Sequence, residues 1–454
     1  MKQKNNKIEL LGSAPISQSL ILLGIPIMIG MLINAFYNIV DAYFVGKLGE
    51  SAMAAISIVF PIGQVVVGLG LMFGNGAASY LSRLLGKDDK KTANQVASVA
   101  IYSSVFIGLI FIIITLVFMK YILKYLGATS TIIPYALPYA KIYILSCVFN
   151  IFNVTMNNIV ASEGSSKTAM SALLLGALAN IFLDPIFIYY FDFGVIGAAI
   201  ATAISQFIST LVYIIYILKK ESYFSFNIRN FHPTKEIFFE IFKIGIPTLT
   251  FQFLTSLSIA LININAANYG DTVIAAMGVV TRIISMCTLV VFGFLKGFQP
   301  IAGFSYGAKN FDRLNKSIKI SILWSTTFCI VAGLITIIFS KQIVSQFANG
   351  NNIMISLGQK SLIANALSFF LFGFYTVYSS LFLALGKGCK GFLLGACRQG
   401  ICFVPVILIL PTLLGINGIL YVQPIADILS TFVTIFMAIN LHKELNLEKN
   451  NINL

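Results

Sequence analysis

Charge is the scarcest ingredient of this 454-residue chain: Asp, Glu, Lys and Arg make up 10% of it, against 58% hydrophobic residues. Such a chain has neither the polar surface of a soluble enzyme nor the repulsion that keeps a disordered one open, so it belongs in a bilayer. Histidine occurs twice, at His232 and His442, and Cys147, Cys287, Cys329, Cys389, Cys397 and Cys402 are scattered without metal-ligand spacing. Zinc, haem and a disulfide framework are therefore not expected. No phosphate-binding loop is present, which disfavours ATP-driven pumping and leaves an ion gradient as the energy source. No cofactor is expected beyond a bound H⁺ or Na⁺. The first residues, Met1 to Lys7, lead through Glu9 into an apolar run with no small-residue cleavage site, so a cleaved signal is not expected.

What the chain does have is long apolar runs. Twelve can cross about 30 Å of hydrocarbon as helices, at roughly 16–45, 52–80, 93–118, 134–158, 166–190, 194–218, 237–268, 272–295, 318–340, 357–384, 391–412 and 415–440. Their length and lack of alternation exclude membrane strands. The formal charge of +14 is strung along short loops, with no single basic patch, so no nucleic acid is expected. With both termini cytoplasmic, most bases fall inside, and only Lys47, Lys120, Lys124, Lys341, Lys141 and Lys360 lie toward the outer side. A bacterial plasma membrane is the expected location.

A repeat runs through the chain in one constant register. Gly24-Ile25-Pro26 returns as Gly245-Ile246-Pro247, Gly49 as Gly270, Gly76 as Gly297, Gly86 as Gly307, Asn94 as Asn315, and Gly194/Gly197 as Gly415/Gly418. The expected fold is an all-α polytopic membrane protein of two six-helix lobes, 1–218 and 237–454, joined by a cytoplasmic loop at 219–236. An even number of spans per lobe puts their pseudo-two-fold axis along the membrane normal.

Three acids, Asp41, Asp184 and Asp427, stand inside apolar stretches, where an ionisable group is a functional-site hypothesis by default. Tyr37 lies one helical turn before Asp41, and Asn180 one turn before Asp184. Asp41, Asp184 and Thr202 lie at similar depth from the outer ends of their helices, about four to eight residues in at 1.5 Å each. Two carboxylates with Asn180 and Thr202 oxygens suit Na⁺, and the carboxylate pair alone suits a proton relay. The alternative is a buried structural hydrogen bond for each acid. Asp427 has two candidate partners, Arg282 and Arg398, and an internal ion pair competes with a transport role. An arginine left unpaired in a cleft would favour anionic substrates. Gln299 and Asn265 are candidate cleft-lining or helix-joining amides. Pro26 and Pro247 stand at matched sites, Pro185 follows Asp184, and all three are candidate hinges. Pro300 is expected just past the inner end of the eighth helix.

The segments Tyr37-Asn38-Ile39-Val40-Asp41-Ala42-Tyr43-Phe44-Val45-Gly46, Ala161-Ser162-Glu163-Gly164-Ser165-Ser166-Lys167, Asn180-Ile181-Phe182-Leu183-Asp184-Pro185 and Gly297-Phe298-Gln299-Pro300 through Ala308 resemble the multidrug and toxic compound extrusion (MATE) family, in particular its DinF-like bacterial branch. The resemblance runs from about residue 12 to 440. It implies a secondary transporter, no enzyme: an antiporter exporting bulky, often cationic amphipathic drugs or dyes for H⁺ or Na⁺, working as a monomer in contact with membrane lipid. It also implies a cation site at Asp41, Asn180, Asp184 and Thr202, with Tyr37 as a neighbour and an added asparagine of the fourth helix, Asn157 ahead of Asn153 or Asn158, between which the local motif does not choose. Other branches of the family use acids in the seventh and eighth helices, where this chain has Glu240 and Asp271 at helix ends. A flippase for a lipid-linked or other specific amphiphile is the rival reading, which a lateral opening and a basic cavity would support.

Overall fold

The computed structural model describes residues 2–126, 128–129, 132–348 and 351–453. Its helices are α1 (Lys2–Gly12), α2 (Ile16–Gly46), α3 (Glu50–Gly86), α4 (Lys90–Tyr125), α5 (Ile133–Ser162), α6 (Ser166–Pro185), α7 (Gly194–Leu218), α8 (Lys235–Ala267), α9 (Asp271–Gly307), α10 (Phe311–Ile338), α11 (Ser340–Ser345), α12 (Asn352–Ala384), α13 (Gly388–Ala396), α14 (Phe403–Leu414) and α15 (Ile416–Asn453). Twelve spans among them are long and apolar enough to cross a membrane, with α13 and α14 counting as one. The fold is all-α and polytopic, two six-helix lobes built from α2 to α7 and from α8 to α15.

The repeat reaches down to single dihedral angles. Asp89 accepts from Thr92 N to start α4, and Asn310, its counterpart in the repeat register, accepts from Arg313 N to start α10. The residues before these caps, Asp88 and Lys309, share a left-handed φ of 55° and 57°. Several helices run beyond their apolar cores: α3 reaches Gly86 and α9 reaches Gly307. Pro300 therefore lies inside α9, contrary to expectation, because the helix continues on polar residues after hydropathy fades. The weakening expected at Pro185 takes a definite form. A π-helical turn, Ile186–Tyr190, follows it, and a second one, Cys397–Ile401, joins α13 to α14.

Both termini sit on one side of the molecule, here the terminus side. Arg313 caps the end of α1 by donating to the carbonyls of Leu11 at 3.0 Å and Ala14 at 2.7 Å. Lys7 of α1 donates to Tyr216 Oη and Glu221 O, both at 2.7 Å. Nearby, Glu163 is buried and accepts from Tyr216, Ser222 Oγ and Tyr223 N, which ties the inter-lobe segment to the first lobe. Burial pushes its carboxyl above the ordinary glutamate range, against the pull of Lys7 and these donors.

The lobes meet along a seam of α2 on α9 and α3 on α8. The largest buried cluster crosses that seam on the terminus side, joining Phe73 and Leu81 to Leu295, Phe298, Ile301 and Phe382. The clusters of the far half stay within one lobe each, one around Val66, Ile144 and Ile188 and another around Ile262, Phe403 and Leu420. The molecule is thus closed on the terminus side and parted on the other. Glycine sets the closest approach. A side chain at Gly86 would collide with the Phe304 carbonyl, and one at Gly307 with the Arg83 carbonyl. Gly86 and Gly307 are repeat mates, and so are Arg83 and Phe304, so both collisions describe one contact repeated by the pseudo-two-fold axis. The ion pair of Arg83 with Glu240, at 2.7 Å, spans the same seam.

Gly86→Val and Gly307→Val are each expected to destabilise the closed arrangement by about 1–3 kcal/mol, as overpacking does. Gly46, with nothing within 4 Å of an added Cβ, is the control, and Gly46→Val should change stability by no more than about 0.5 kcal/mol. Thermal midpoints of the purified proteins, with spin-label distances across the terminus-side ends, measure both effects. Parental midpoints and distances in all three variants would show that these glycines do not set the approach.

Candidate functional site

Four of the polar residues expected in one site do meet in the far half of the first lobe. Asp184 and Asn180 lie one turn apart on α6, fully buried, and Asn180 Nδ2 donates to Asp184 Oδ1 at 3.2 Å and to Thr202 Oγ1 of α7 at 3.5 Å. The Asp41 carboxyl of α2 reaches the Asp184 carboxyl side chain to side chain. Tyr189, in the π-helical turn, donates to Phe44 O at 2.6 Å and holds the far end of α2 against α6. Three oxygens of this cluster, Asp41 Oδ1, Asn180 Oδ1 and Asp184 Oδ2, are buried without a hydrogen-bond partner among the described residues. Such atoms are costly in a low-dielectric interior. Two carboxylates in contact also repel unless a proton or cation lies between them.

Asn157 is not part of this group. Its Nδ2 donates to Tyr213 Oη at 3.1 Å and to Ala169 O at 3.4 Å, and Ala169 precedes Asn180 by eleven residues, three turns, along α6. The residue that α5 does contribute is Tyr139, buried within electrostatic reach of Asp41, Asp184 and Tyr37. Tyr139 and Tyr143 stack one turn apart. The count from the outer end of the helix that located Asp41 would have located Tyr139 too.

In the second lobe, Arg398 is the partner of Asp427 and Arg282 is not. Arg398 Nε donates to Asp427 Oδ1 at 2.8 Å, Gln423 Nε2 to the same oxygen at 2.8 Å, and Ser368 Oγ to Oδ2 at 3.2 Å. The guanidinium lies 4.7 Å from the Phe372 ring centre. Every charge there has partners, so the reading as an internal ion pair prevails. Arg282 is exposed on α9. Gln299 lines a small chamber at the seam with Lys296, and Asn265 donates only to Leu261 O within α8. Glu240 is engaged by Arg83 and Lys243, and the side chains of Glu50 and Asp271 lie outside the described ones. Among the described residues no group of three His, Cys, Asp or Glu side chains is placed to hold a metal ion.

The MatE family model matches the chain twice, over residues 26–186 and 247–409, starting at the matched prolines Pro26 and Pro247. The chain belongs to the MATE family. A multidrug export protein MepA of Staphylococcus haemolyticus is 33% identical over 426 residues, covering 94% of each chain. One from Staphylococcus aureus strain NCTC 8325 is 31% identical over 98% of each. A solved outward-facing structure of a multidrug resistance MATE family transporter of the MOP superfamily superposes with a TM-score of 0.92, at 26% identity and 98% coverage of both chains. The DinF-like bacterial branch resemblance stands with these relatives. This MATE protein is accordingly a secondary transporter for multidrug-like compounds and no enzyme.

Removing one partner of a buried pair costs more than replacing both. Asp427→Ala is expected to destabilise the MATE fold by about 3–5 kcal/mol, while Arg398→Met with Asp427→Leu recovers most of that loss. Thermal unfolding of the single and double variants gives the coupling energy. An unchanged midpoint in Asp427→Ala would rule out the pair as a structural element.

Proposed function

We propose that the protein is an antiporter that exports bulky amphipathic compounds, cationic drugs and dyes among them, in exchange for H⁺ or Na⁺ bound at Asp41, Asp184, Asn180 and Thr202, with Tyr37 and Tyr139 beside them. The observation that carries this reading is the trio of buried, unpartnered oxygens on those acids and on Asn180. The donors are all hard oxygens, two carboxylates, an amide and a hydroxyl, which fit Na⁺. A proton held between the carboxyls provides for two of the three oxygens, whereas a monovalent cation can take all three. The relatives' description as multidrug export proteins supports the cargo. The termini belong in the cytoplasm, since the bases concentrate on the terminus side, and the lobes are 1–218 and 237–454 around the segment 219–236. Pro26, Pro247 and Pro185 serve as the flexible points about which the lobes alternate.

One observation favours the second reading, a flippase or exporter of a lipid-linked amphiphile. An apolar crevice of about 220 Å³ opens at the seam between α2, α9 and α10, walled by Ile21, Ile25, Met28, Val290, Phe294 and Trp324. Several of these walls face lipid, so a cargo tail can reach the seam from the bilayer.

Proteoliposomes with an imposed pH or Na⁺ gradient, applied separately, test the proposal with a fluorescent cationic dye. Asp41→Asn and Asp184→Asn are each expected to lower gradient-driven transport to about a tenth or less of the parent rate while the protein stays folded, because ion binding is what biases the two states. The gradient that drives the parent identifies the ion. Gradient-driven transport retained in both variants would overturn the assignment of the site.

A further inference from the structure

The seam between the lobes is poor in acid. Its four helices carry acidic residues only at their ends, Glu50, Glu236, Glu240 and Asp271, and at Asp41, which is turned to Asp184 within the first lobe. Two bases, by contrast, stand on α9 away from its ends, Arg282 and Lys296. Neither takes part in any ion pair among the described residues.

Both face the other lobe. Gly293 packs its bare Cα side on Met28 of α2, which marks the face of α9 turned toward the first lobe. Arg282 precedes Gly293 by eleven residues, three full turns, and so returns to that face in the far half, where the lobes have parted. Gly278, one turn further out, has nothing within 4 Å of an added Cβ, which confirms that this stretch borders open space. Lys296 lies three residues to the other side of Gly293. It lines a small chamber of mixed wall, Ile244, Pro300 and Leu383 on its apolar side, together with Asn75 of α3, Asn158 of α5 and Gln299, one turn along α9. The side-chain amides of Asn75 and Gln299 make no hydrogen bond among the described residues. The enclosed space is about 20 Å³, room for one water-sized group in this closed arrangement. Asn158 Nδ2 donates to Val154 O at 2.7 Å and keeps one N–H over, so a lysine ammonium with the unengaged amides of Asn75 and Gln299, that N–H, and no carboxylate in the lining is a site for an oxyanion.

We propose that Lys296, with Asn75, Asn158 and Gln299, forms a subsite for an anionic group, a carboxylate or phosphate, on the cargo, and that Arg282 is the second station for that group on the same face of α9. The subsite lies at the closed throat on the terminus side and becomes accessible when the lobes part there. Fourteen residues, about 21 Å, separate the two bases along the helix, so they mark a path and not a single pocket. This inference rests on the export reading and adds to its cargo amphiphiles that carry an anionic group, zwitterions included. Lysine is strongly hydrated and an unpaired one costs free energy in a membrane protein, which a structural role would have relieved with a partner.

Fluorescence titration of the purified full-length protein tests the proposal without requiring transport. The probes are pyrenebutyrate and a pyrenebutyl trimethylammonium of the same body, and pyrene-labelled lysophosphatidic acid in nanodiscs is a third arm. Lys296→Gln and Arg282→Gln are each expected to swing the ratio of anion to cation affinity by about tenfold toward the cation, the scale of one lost charge-assisted hydrogen bond. Lys296→Arg keeps the parent ratio. Loss with pyrenebutyrate alone assigns the subsite to soluble cargo; loss with the lysophosphatidic acid alone assigns it to a lipid headgroup. An unchanged ratio in both glutamine variants, or an equal fall for anion and cation, overturns the subsite. Arg282 is exposed, so its variant tests the path even where Lys296→Gln fails to fold. The export reading fails separately, if Asp41→Asn and Asp184→Asn leave gradient-driven transport intact.

Discussion

The contact of glycine with backbone at the pseudo-two-fold axis is the constraint on which the rest of the molecule depends. Lipid tails offer no hydrophobic force to join one apolar helix to another, so lobes held together in a bilayer rely on close packing between small residues. Gly86 on the Phe304 carbonyl and Gly307 on the Arg83 carbonyl give that packing twice from one rule. Gly24, Gly76, Gly245 and Gly297 extend it along the seam, where Gly297 meets Gly24 and Gly76 meets Ile241. Because these contacts gather in the terminus-side half, the far half is free to part.

Against this symmetric frame, the polar interiors of the lobes differ. In the repeat register, Asp41 becomes Ile262, Asp184 becomes Pro405, Thr202 becomes Gln423 and Gln206 becomes Asp427. The second lobe carries its acid on α15 instead, one turn past Gln423, and supplies it with a guanidinium, an amide and a hydroxyl. The first lobe keeps two acids together with no base and three oxygens unprovided for. One lobe therefore carries its counter-charge within the chain, and the other needs one from outside. That asymmetry is the physical basis for the proposal that the first lobe answers an ion gradient.

Much of this was legible in the sequence, because the bilayer leaves few ways to hide a charge or a backbone polar group. Helix number, the lobe repeat and the meeting of Asp41, Asp184, Asn180 and Thr202 follow from hydropathy, spacing and depth. The choice of Arg398 over Arg282 does not, since it depends on the π-helical turn at Cys397–Ile401, whose extra residue re-aims the side chain and leaves no periodic trace. Asn157 is misplaced by sequence alone because the asparagine-bearing turns of α5 look alike in one dimension, while only the packing of α5 on α7 shows that Asn157 faces Tyr213. Hydropathy by itself makes Lys296 a basic residue at a cytoplasmic helix end. The continuation of α9 to Gly307 instead puts it three turns from the end of its helix.

The proposed coupling requires that Asp41 and the seam be mechanically one object, and α2 joins them. Asp41 sits in its far half, and Gly24, seventeen residues earlier, rests on Gly297 in the terminus-side half, with Pro26 next to that contact. In the proposed exchange an ion that joins Asp41 to Asp184 would pull on the far half of α2, with the glycine contact as the fulcrum. Tyr189, bonded to the Phe44 carbonyl, links the same end of α2 to the π-helical turn after Pro185, so α6 moves with it. An ion bound with equal affinity in both arrangements would shift nothing. In the proposed exchange the gradient supplies the free energy, and the difference in how well Asp41 can reach Asp184 when the lobes are parted on one side or the other sets how strongly a bound ion biases the two arrangements, with α2 the element on which that difference acts.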